Sequence, residues 1–228
     1  MGAAVSRRVA ARDIVIVVAA IGLAWLFSRY WLYPRLGLPD NAPLLLRPLL
    51  GFAVAWLLIR FAGQRWRDLG LRRPGNLASA LLGTVVLFAL VYLASTRLVP
   101  VLAGLFSATP GPVFLGYIRG NTVAFVGWIA IAWSVGGFAE ELLFRGFLID
   151  RASAAFGSGW LAGAGAVSLQ AALFGLLHLH QGSLGLVFSA TMAVIYGVVY
   201  LSCGRNLWPL ILVHGAWNSV AIAGLYRS

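Results

Sequence analysis

The sequence predicts an all-α fold: a polytopic bundle of about seven transmembrane helices, with six to eight as the range. Apolar residues make up 61% of the chain and charged residues 10%, against about 45–50% and 25% in soluble domains. Several apolar stretches exceed about 18 residues, which is enough to cross a bilayer core of ~30 Å. The stretches lack the alternation of β-barrel strands, so helices must satisfy their backbone hydrogen bonds in lipid.

The apolar stretches define the predicted spans and their ends. An aromatic belt closed by Pro34 ends the first span, and Pro100 is expected to stop the third. The fourth span could continue beyond its last apolar residues to Ala155. The spans cover residues 14–32, 44–61, 77–99, 123–149, 160–179, 184–202 and 207–225.

Residues 101–120 are apolar but are broken by Pro110, Gly111 and Pro112. Such a segment is typical of a loop at the membrane surface or a re-entrant turn. Neither a soluble domain nor an internal repeat is recognisable, so residues 1–228 are interpreted as one integral membrane domain.

The net charge of +11 comes from arginine alone, since the chain has no lysine. The arginines lie mainly between apolar stretches, which argues against nucleic-acid binding and indicates membrane orientation. With the N-terminus inside, inner loops hold ten arginines and outer loops six, Arg47 among the six. The sequence therefore predicts a cytoplasmic N-terminus and, with seven spans, an external C-terminus. The arginine- and alanine-rich composition favours the bacterial inner (cytoplasmic) membrane.

Few strongly polar side chains fall within the predicted spans. A charge at the bilayer centre costs at least ~2.5–3.5 kcal/mol on insertion scales, so these residues are candidates for pairing or chemistry. They lie on the fourth, fifth and seventh spans, which predicts a buried polar site among the C-terminal four helices. The set is Glu140, Glu141, Arg145, Gln170, His178, His214 and Asn218.

Glu140 and Glu141 are the only glutamates of the chain. Arg145 lies four residues after Glu141 on the same helix face, which predicts an ion pair. Glu140 points ~100° away and has no partner on its own helix. A carboxylate without a partner in a low-dielectric setting is suited to exchange protons as a general base. Gly136-Gly137, one turn earlier, predicts a kink or the close approach of another backbone.

The remaining candidates occur in pairs spaced by four residues. His178 follows Phe174, and Asn218 follows His214. A single histidine at a helix end is usually an interfacial residue, and a His–Asn pair can be a hydrogen bond between packed helices. Together with Glu140, these side chains are also the groups that activate a water and stabilise an oxyanion.

Three motifs in this order on apolar segments resemble the CAAX-prenyl-protease-2 and bacteriocin-processing family, the CPBP or Abi intramembrane proteases. The resemblance extends over about residues 127–223. It implies a catalytic core at 121–228, preceded by N-terminal helices and a loop at 1–120. The motifs are Glu-Glu-x-x-x-Arg at 140–145, Phe-x-x-x-His at 174–178 and His-x-x-x-Asn at 214–218.

The resemblance implies an intramembrane endopeptidase of the glutamic type. Glu140 would be the general base on a water, assisted by His178. His214 and Asn218 would hold the tetrahedral oxyanion. Supporting residues would be Glu141, Arg145 and Phe174.

No cofactor is expected, but a zinc-dependent version of the same protease remains an alternative. Glu140, His178 and His214 could bind Zn²⁺ and leave a fourth position for water. They lack the compact His-Glu-x-x-His spacing of common zinc proteases.

The family likeness implies a peptide or protein substrate delivered at the lipid bilayer. Such a substrate could be a C-terminal tag, a leader peptide or a lipidated C-terminus. A non-enzymatic immunity, scaffold or transport protein is the competing hypothesis, since in-membrane carboxylates and histidines also form proton relays.

One geometric condition follows from the predicted spans. His178 lies ~27 Å along a helix that begins at Trp160, whereas Glu140 lies only ~14–17 Å from the inner end of the fourth span. For the two to meet, the fifth helix is expected to begin later, near Gly163 or Gly165, or to tilt strongly.

Overall fold

Seven long helices make up the part of the chain that the computed structural model describes, residues 5–37, 45–107 and 113–228. No strand occurs in these ranges, which confirms the all-α prediction. Six helices are long and apolar enough to cross a membrane, and the other, α2, is shorter at 16 residues. The helices are α1 Arg7–Leu36, α2 Leu46–Phe61, α3 Leu77–Leu105, α4 Thr122–Phe156, α5 Trp160–Leu177, α6 Leu179–Ser202 and α7 Trp208–Arg227.

Two prolines expected to end helices lie inside them instead. α1 continues past Pro34 to Leu36, and α3 continues past Pro100, so the predicted stop of the third span was wrong. A π-type turn precedes each proline, at Ser28–Leu32 and Ala94–Leu98. Proline lacks an N–H and clashes with the carbonyl four residues earlier, and a widened turn accommodates both effects.

Two sequence-based expectations fall outside the described residues. They are the start of the second span at residue 44 and the proline-broken turn at residues 110–112. Beyond that turn, a 3₁₀ helix at Val113–Ile118 leads into α4. Asn121 caps α4, because its side-chain oxygen accepts a hydrogen bond from the Ala124 backbone N–H at 3.1 Å.

α4 is the central helix of the bundle. Its segment Leu142–Leu148 is buried on every side. Two runs of π-type turns, Ala132–Glu140 and Leu142–Leu148, interrupt its regular winding. Such turns are rare and are frequently found at functional sites. Glu140 ends the first of these runs, and Glu141 lies between the two.

The length of α4 explains how His178 and Glu140 come to lie at a similar depth in the bundle. The expectation of a late start for α5 was wrong, since α5 begins at Trp160. Instead α4 runs to Phe156, past the predicted end at 149 and within one residue of the possible extension to Ala155. Glu140 therefore lies roughly 20–24 Å from the end of α4, close to the depth of His178 along α5.

Buried polar contacts connect the helices at the end of the bundle where the N-terminus lies. Arg151 of α4 donates to Asp13 of α1 at 3.0 Å and to Gln64 at 2.7 Å. Tyr200 of α6 donates its hydroxyl to the Leu69 carbonyl at 2.8 Å. The opposite end, where α2 begins and α5 passes directly into α6, contains a cavity.

Candidate active site

The cavity has a volume of about 400 Å³ and is lined by residues from α2 to α7. All four side chains predicted to be catalytic reach it: Glu140, His178, His214 and Asn218. Its volume exceeds by far what one water needs, and its wall offers several polar partners for ordered water. The fold therefore brings together residues from three helices that the sequence separates by up to 78 positions (218 minus 140).

Glu141 lies beneath the cavity and is completely buried. Its Oε1 accepts a hydrogen bond from Arg145 Nη1 at 2.9 Å, so the ion pair predicted from the spacing is present. The same oxygen accepts from His214 Nδ1 at 2.6 Å. That second contact joins α4 to α7 and was not foreseen. It fixes the orientation of the His214 ring and leaves Nε2 on the cavity side.

Glu140 has a different environment from that of its neighbour. Its side chain is 14% exposed and lines the cavity. Its Oε2 lies 3.9 Å from His214 Nε2, which is longer than a hydrogen bond. Within the described part of the chain, no arginine comes within ion-pair distance of Glu140. The carboxylate is therefore available to a water or a substrate.

His178 occupies the junction of α5 and α6. Its Nδ1 lies 2.9 Å from the Phe174 carbonyl oxygen. A carbonyl can only accept, so the proton is on Nδ1 and Nε2 carries the lone pair. The ring also packs against Phe174 at a centroid distance of 4.6 Å. His178 thus presents a hydrogen-bond acceptor in a fixed orientation.

Glycines allow α4 and α7 to approach closely, as the sequence predicted. A Cβ on Gly137 would lie 3.2 Å from the backbone nitrogen of Gly215. A Cβ on Gly136 would lie 2.8 Å from Asn218 Nδ2 and 3.5 Å from His214 Nε2. The absence of side chains at these positions makes room for the imidazole and amide of α7 beside Glu140.

Aromatic rings on α5 and α6 enclose the guanidinium of Arg145. Its Cζ lies 4.8 Å from the centre of the Phe174 ring and 4.9 Å from that of Tyr196. Cations are attracted to the faces of such rings. Tyr196 also packs edge-on against His214, with centroids 5.7 Å apart. The sequence gave no signal for Tyr196, because an aromatic residue in an apolar helix is ordinary.

Arg47 is the second site residue that sequence reasoning missed. It was counted among the outer-loop arginines, but it lies in the first turn of α2, is only 6% exposed and lines the cavity. The sequence did contain a signal for Arg47. The predicted second span begins at residue 44, so Arg47 falls inside it and is a charged residue within the membrane.

The zinc alternative requires three ligands in one place. In residues 5–37, 45–107 and 113–228, no three histidine, cysteine or carboxylate side chains come together in a way that could hold a metal ion. Zinc binding by Glu140, His178 and His214 stays an alternative prediction, and no reaction step below uses a metal.

Comparison with known proteins gives one match. The family model described as "Type II CAAX prenyl endopeptidase Rce1-like" matches residues 122–220, which confirms the resemblance noted from the three motifs. No curated protein and no solved structure matches the chain. The matched region runs from the start of α4 to within α7 and contains all three motifs.

Proposed function

We propose, on the premise that residues 122–220 match a family of type II CAAX prenyl endopeptidases, that this chain is an intramembrane endopeptidase using a glutamate-activated water. The observation that carries the proposal is the cavity shared by Glu140, His178, His214 and Asn218. These side chains supply a carboxylate that has no arginine partner among the described residues, a fixed acceptor and two potential oxyanion donors.

In the proposed reaction, a water lies between Glu140 and His178 Nε2. Glu140 takes a proton from this water, and the water oxygen forms a bond to the carbon of the scissile carbonyl. The proton on Glu140 then passes to the amide nitrogen as the C–N bond breaks. The products are a free carboxylate and a free amine, so the carboxylate of Glu140 is regenerated.

The oxyanion formed in this reaction would be held by α7. Asn218 Nδ2 is a donor beside Gly136. His214 donates from Nδ1 to Glu141, and with a proton on Nε2 as well it donates on both sides. Donors fixed in position before the reaction stabilise developing charge at no cost of reorganisation. Glu141 and Arg145 position His214, and Phe174 packs against both Arg145 and His178.

The substrate class follows from where the cavity lies. Apolar side chains of membrane-spanning helices form most of the cavity wall, with Val91, Trp128 and Phe188 among them. A peptide delivered from the bilayer fits this wall: a C-terminal tag, a leader peptide or a lipidated C-terminus. The proposed location is the bacterial cytoplasmic membrane.

Cleavage of a peptide library by the purified protein tests the proposal. The wild type, reconstituted in lipid, is incubated with randomised peptides carrying an N-terminal acyl anchor, and products are identified by mass spectrometry. Glu140→Gln is expected to lower turnover at least ~100-fold, since removal of a general base typically costs 10²–10⁴-fold.

Asp68→Asn is the matched control, because Asp68 is a carboxylate of the α2–α3 connection outside the cavity. It should leave turnover unchanged. No cleavage by the wild type, or wild-type turnover by Glu140→Gln, would contradict the proposal. Loss of activity with a chelator and recovery with Zn²⁺ would favour the zinc-dependent alternative.

A further inference from the structure

Arg47 is a buried cation beside the proposed reacting groups. It is 6% exposed and lines the same cavity as Glu140 and His178. It also lies outside residues 122–220, so the family match assigns it no role. A buried guanidinium is usually paired, because transfer of an isolated charge from water costs free energy.

The partners of Arg47 do not neutralise it. No carboxylate of the described residues lies within ion-pair distance, and its Nε makes no hydrogen bond. Its Nη2 lies 3.4 Å from His180 Nδ1. That nitrogen also lies 3.0 Å from the Leu177 carbonyl, which can only accept. Arg47 can only donate and the Leu177 carbonyl can only accept, so Nδ1 in one protonation state serves one of these two contacts and not both.

On the edge of the guanidinium formed by Nε and Nη2, Nε has no hydrogen-bond partner and Nη2 has only the 3.4 Å contact with His180. Two parallel N–H groups on one edge match the two oxygens of a carboxylate. Arg47 also lines a second cavity of about 620 Å³, whose wall includes Ile21, Trp25 and Leu173. The guanidinium thus stands where the catalytic cavity adjoins apolar space for a hydrophobic side chain.

We propose that Arg47 binds a carboxylate of the peptide substrate, an inference that rests on the proposed function, and thereby sets the distance between this carboxylate and the bond that is cut. The carboxylate is either the free C-terminus of the peptide or an aspartate or glutamate side chain near the cut. Both would form the same paired hydrogen bonds with Arg47.

The first test compares the same acyl-anchored library synthesised as free acids and as C-terminal amides. If the C-terminus is the ligand, amides should show kcat/KM values at least ~30-fold lower, since losing one partner of a buried charge pair costs 2–5 kcal/mol or more. If an acidic side chain is the ligand, both forms are cut, and every cleaved peptide carries Asp or Glu at a fixed distance from the cut. Cleavage that requires neither a free C-terminal carboxylate nor an acidic side chain at a fixed distance from the cut overturns the proposal.

The second test asks whether Arg47 causes the preference. Arg47→Gln should lower kcat/KM for the carboxylate-bearing peptides much more than for their neutral counterparts, so that the difference between the two classes disappears. Arg60→Gln, at an exposed arginine of the same helix, should change neither rate. Equal loss on charged and neutral peptides would overturn the proposal. If Arg47→Gln does not fold, Arg47→Lys keeps the charge but loses the paired donors, and an intermediate preference is expected.

A binding measurement separates this inference from the proposed function. Glu140→Gln is used to capture the free-acid and amide libraries, and retained peptides are identified. Selective retention of carboxylate-bearing peptides, abolished by adding Arg47→Gln, supports the inference even if the wild type cuts nothing. If the wild type cleaves peptides but Glu140→Gln retains free acids and amides equally, the proposed protease activity is supported and the role of Arg47 is rejected.

Discussion

Glu140 and Glu141 show how far two adjacent side chains of the same type can differ. Glu141 is fully buried and accepts hydrogen bonds from Arg145 and His214. Glu140 faces the cavity with no ion pair to an arginine among the described residues. The first carboxylate therefore contributes to stability and orientation, whereas the second is available for chemistry.

Replacing each glutamate by glutamine should separate these contributions. Glu141→Gln leaves the buried Arg145 without a counter-charge, and we expect a loss of about 3 kcal/mol in the free energy of unfolding. Glu140→Gln should leave that free energy nearly unchanged. Equilibrium unfolding in detergent measures both, and equal destabilisation by the two variants would contradict this division.

At the scale of helices, two contacts attach α4 to the rest of the bundle. Gly137 lets the backbone of α7 pack against it near Gly215. At the other end, Arg151 of α4 is completely buried and bonded to Asp13 of α1. The first contact brings the proposed catalytic groups together, and the second holds the N-terminal helix against the core.

Gly137→Ala should disturb the contact between α4 and α7. The added methyl would meet backbone atoms at 3.0–3.3 Å, which cannot move as a side chain can. We expect a loss of about 1–3 kcal/mol in stability together with lower turnover. Gly127→Ala on the same helix, where the added methyl meets nothing within 4 Å, is the control. An unchanged stability for Gly137→Ala would show that the helices do not pack as closely as described.

Asp13→Ala should destabilise the fold by about 1–3 kcal/mol, because the buried Arg151 loses its partner on α1 but keeps its ion pair with Asp150. Arg12 also pairs with Asp13, but its side chain is 60% exposed. Arg12→Ala should therefore change stability by less than about 1 kcal/mol. Thermal unfolding of both variants in the same detergent makes the comparison, and similar losses would argue against a structural role for the buried pair.

At the scale of the whole molecule, the sequence predicted the bundle and the four cavity residues because polar side chains are scarce in lipid-facing stretches. It did not predict that α3 continues past Pro100 to Leu105, because no local sequence pattern indicates the π-type turn that precedes this proline. It also missed Arg47 and Tyr196, since a charge near a span boundary resembles a loop residue and an aromatic ring resembles core.

Membrane orientation can be tested with single cysteines in a Cys203→Ser background, since Cys203 is the only cysteine of the chain. With the N-terminus in the cytoplasm, Arg227→Cys should react with an impermeant thiol reagent on intact cells. Ser6→Cys should react only after permeabilisation. The reverse pattern would place the N-terminus outside. In the expected orientation the cavity that contains Glu140 lies towards the external side, since it occupies the end of the bundle opposite the N-terminus.

The number of residues in α4 before Glu140 determines which of its side chains face α7 and the cavity. Deleting one residue between Asn121 and Gly136 would advance every later side chain by one place relative to α7. Glu141 would then take the position facing the cavity, and a leucine would replace it beneath His214. Natural variation in chain length is therefore expected to accumulate outside this interval, in the connections before residue 121 and after residue 156.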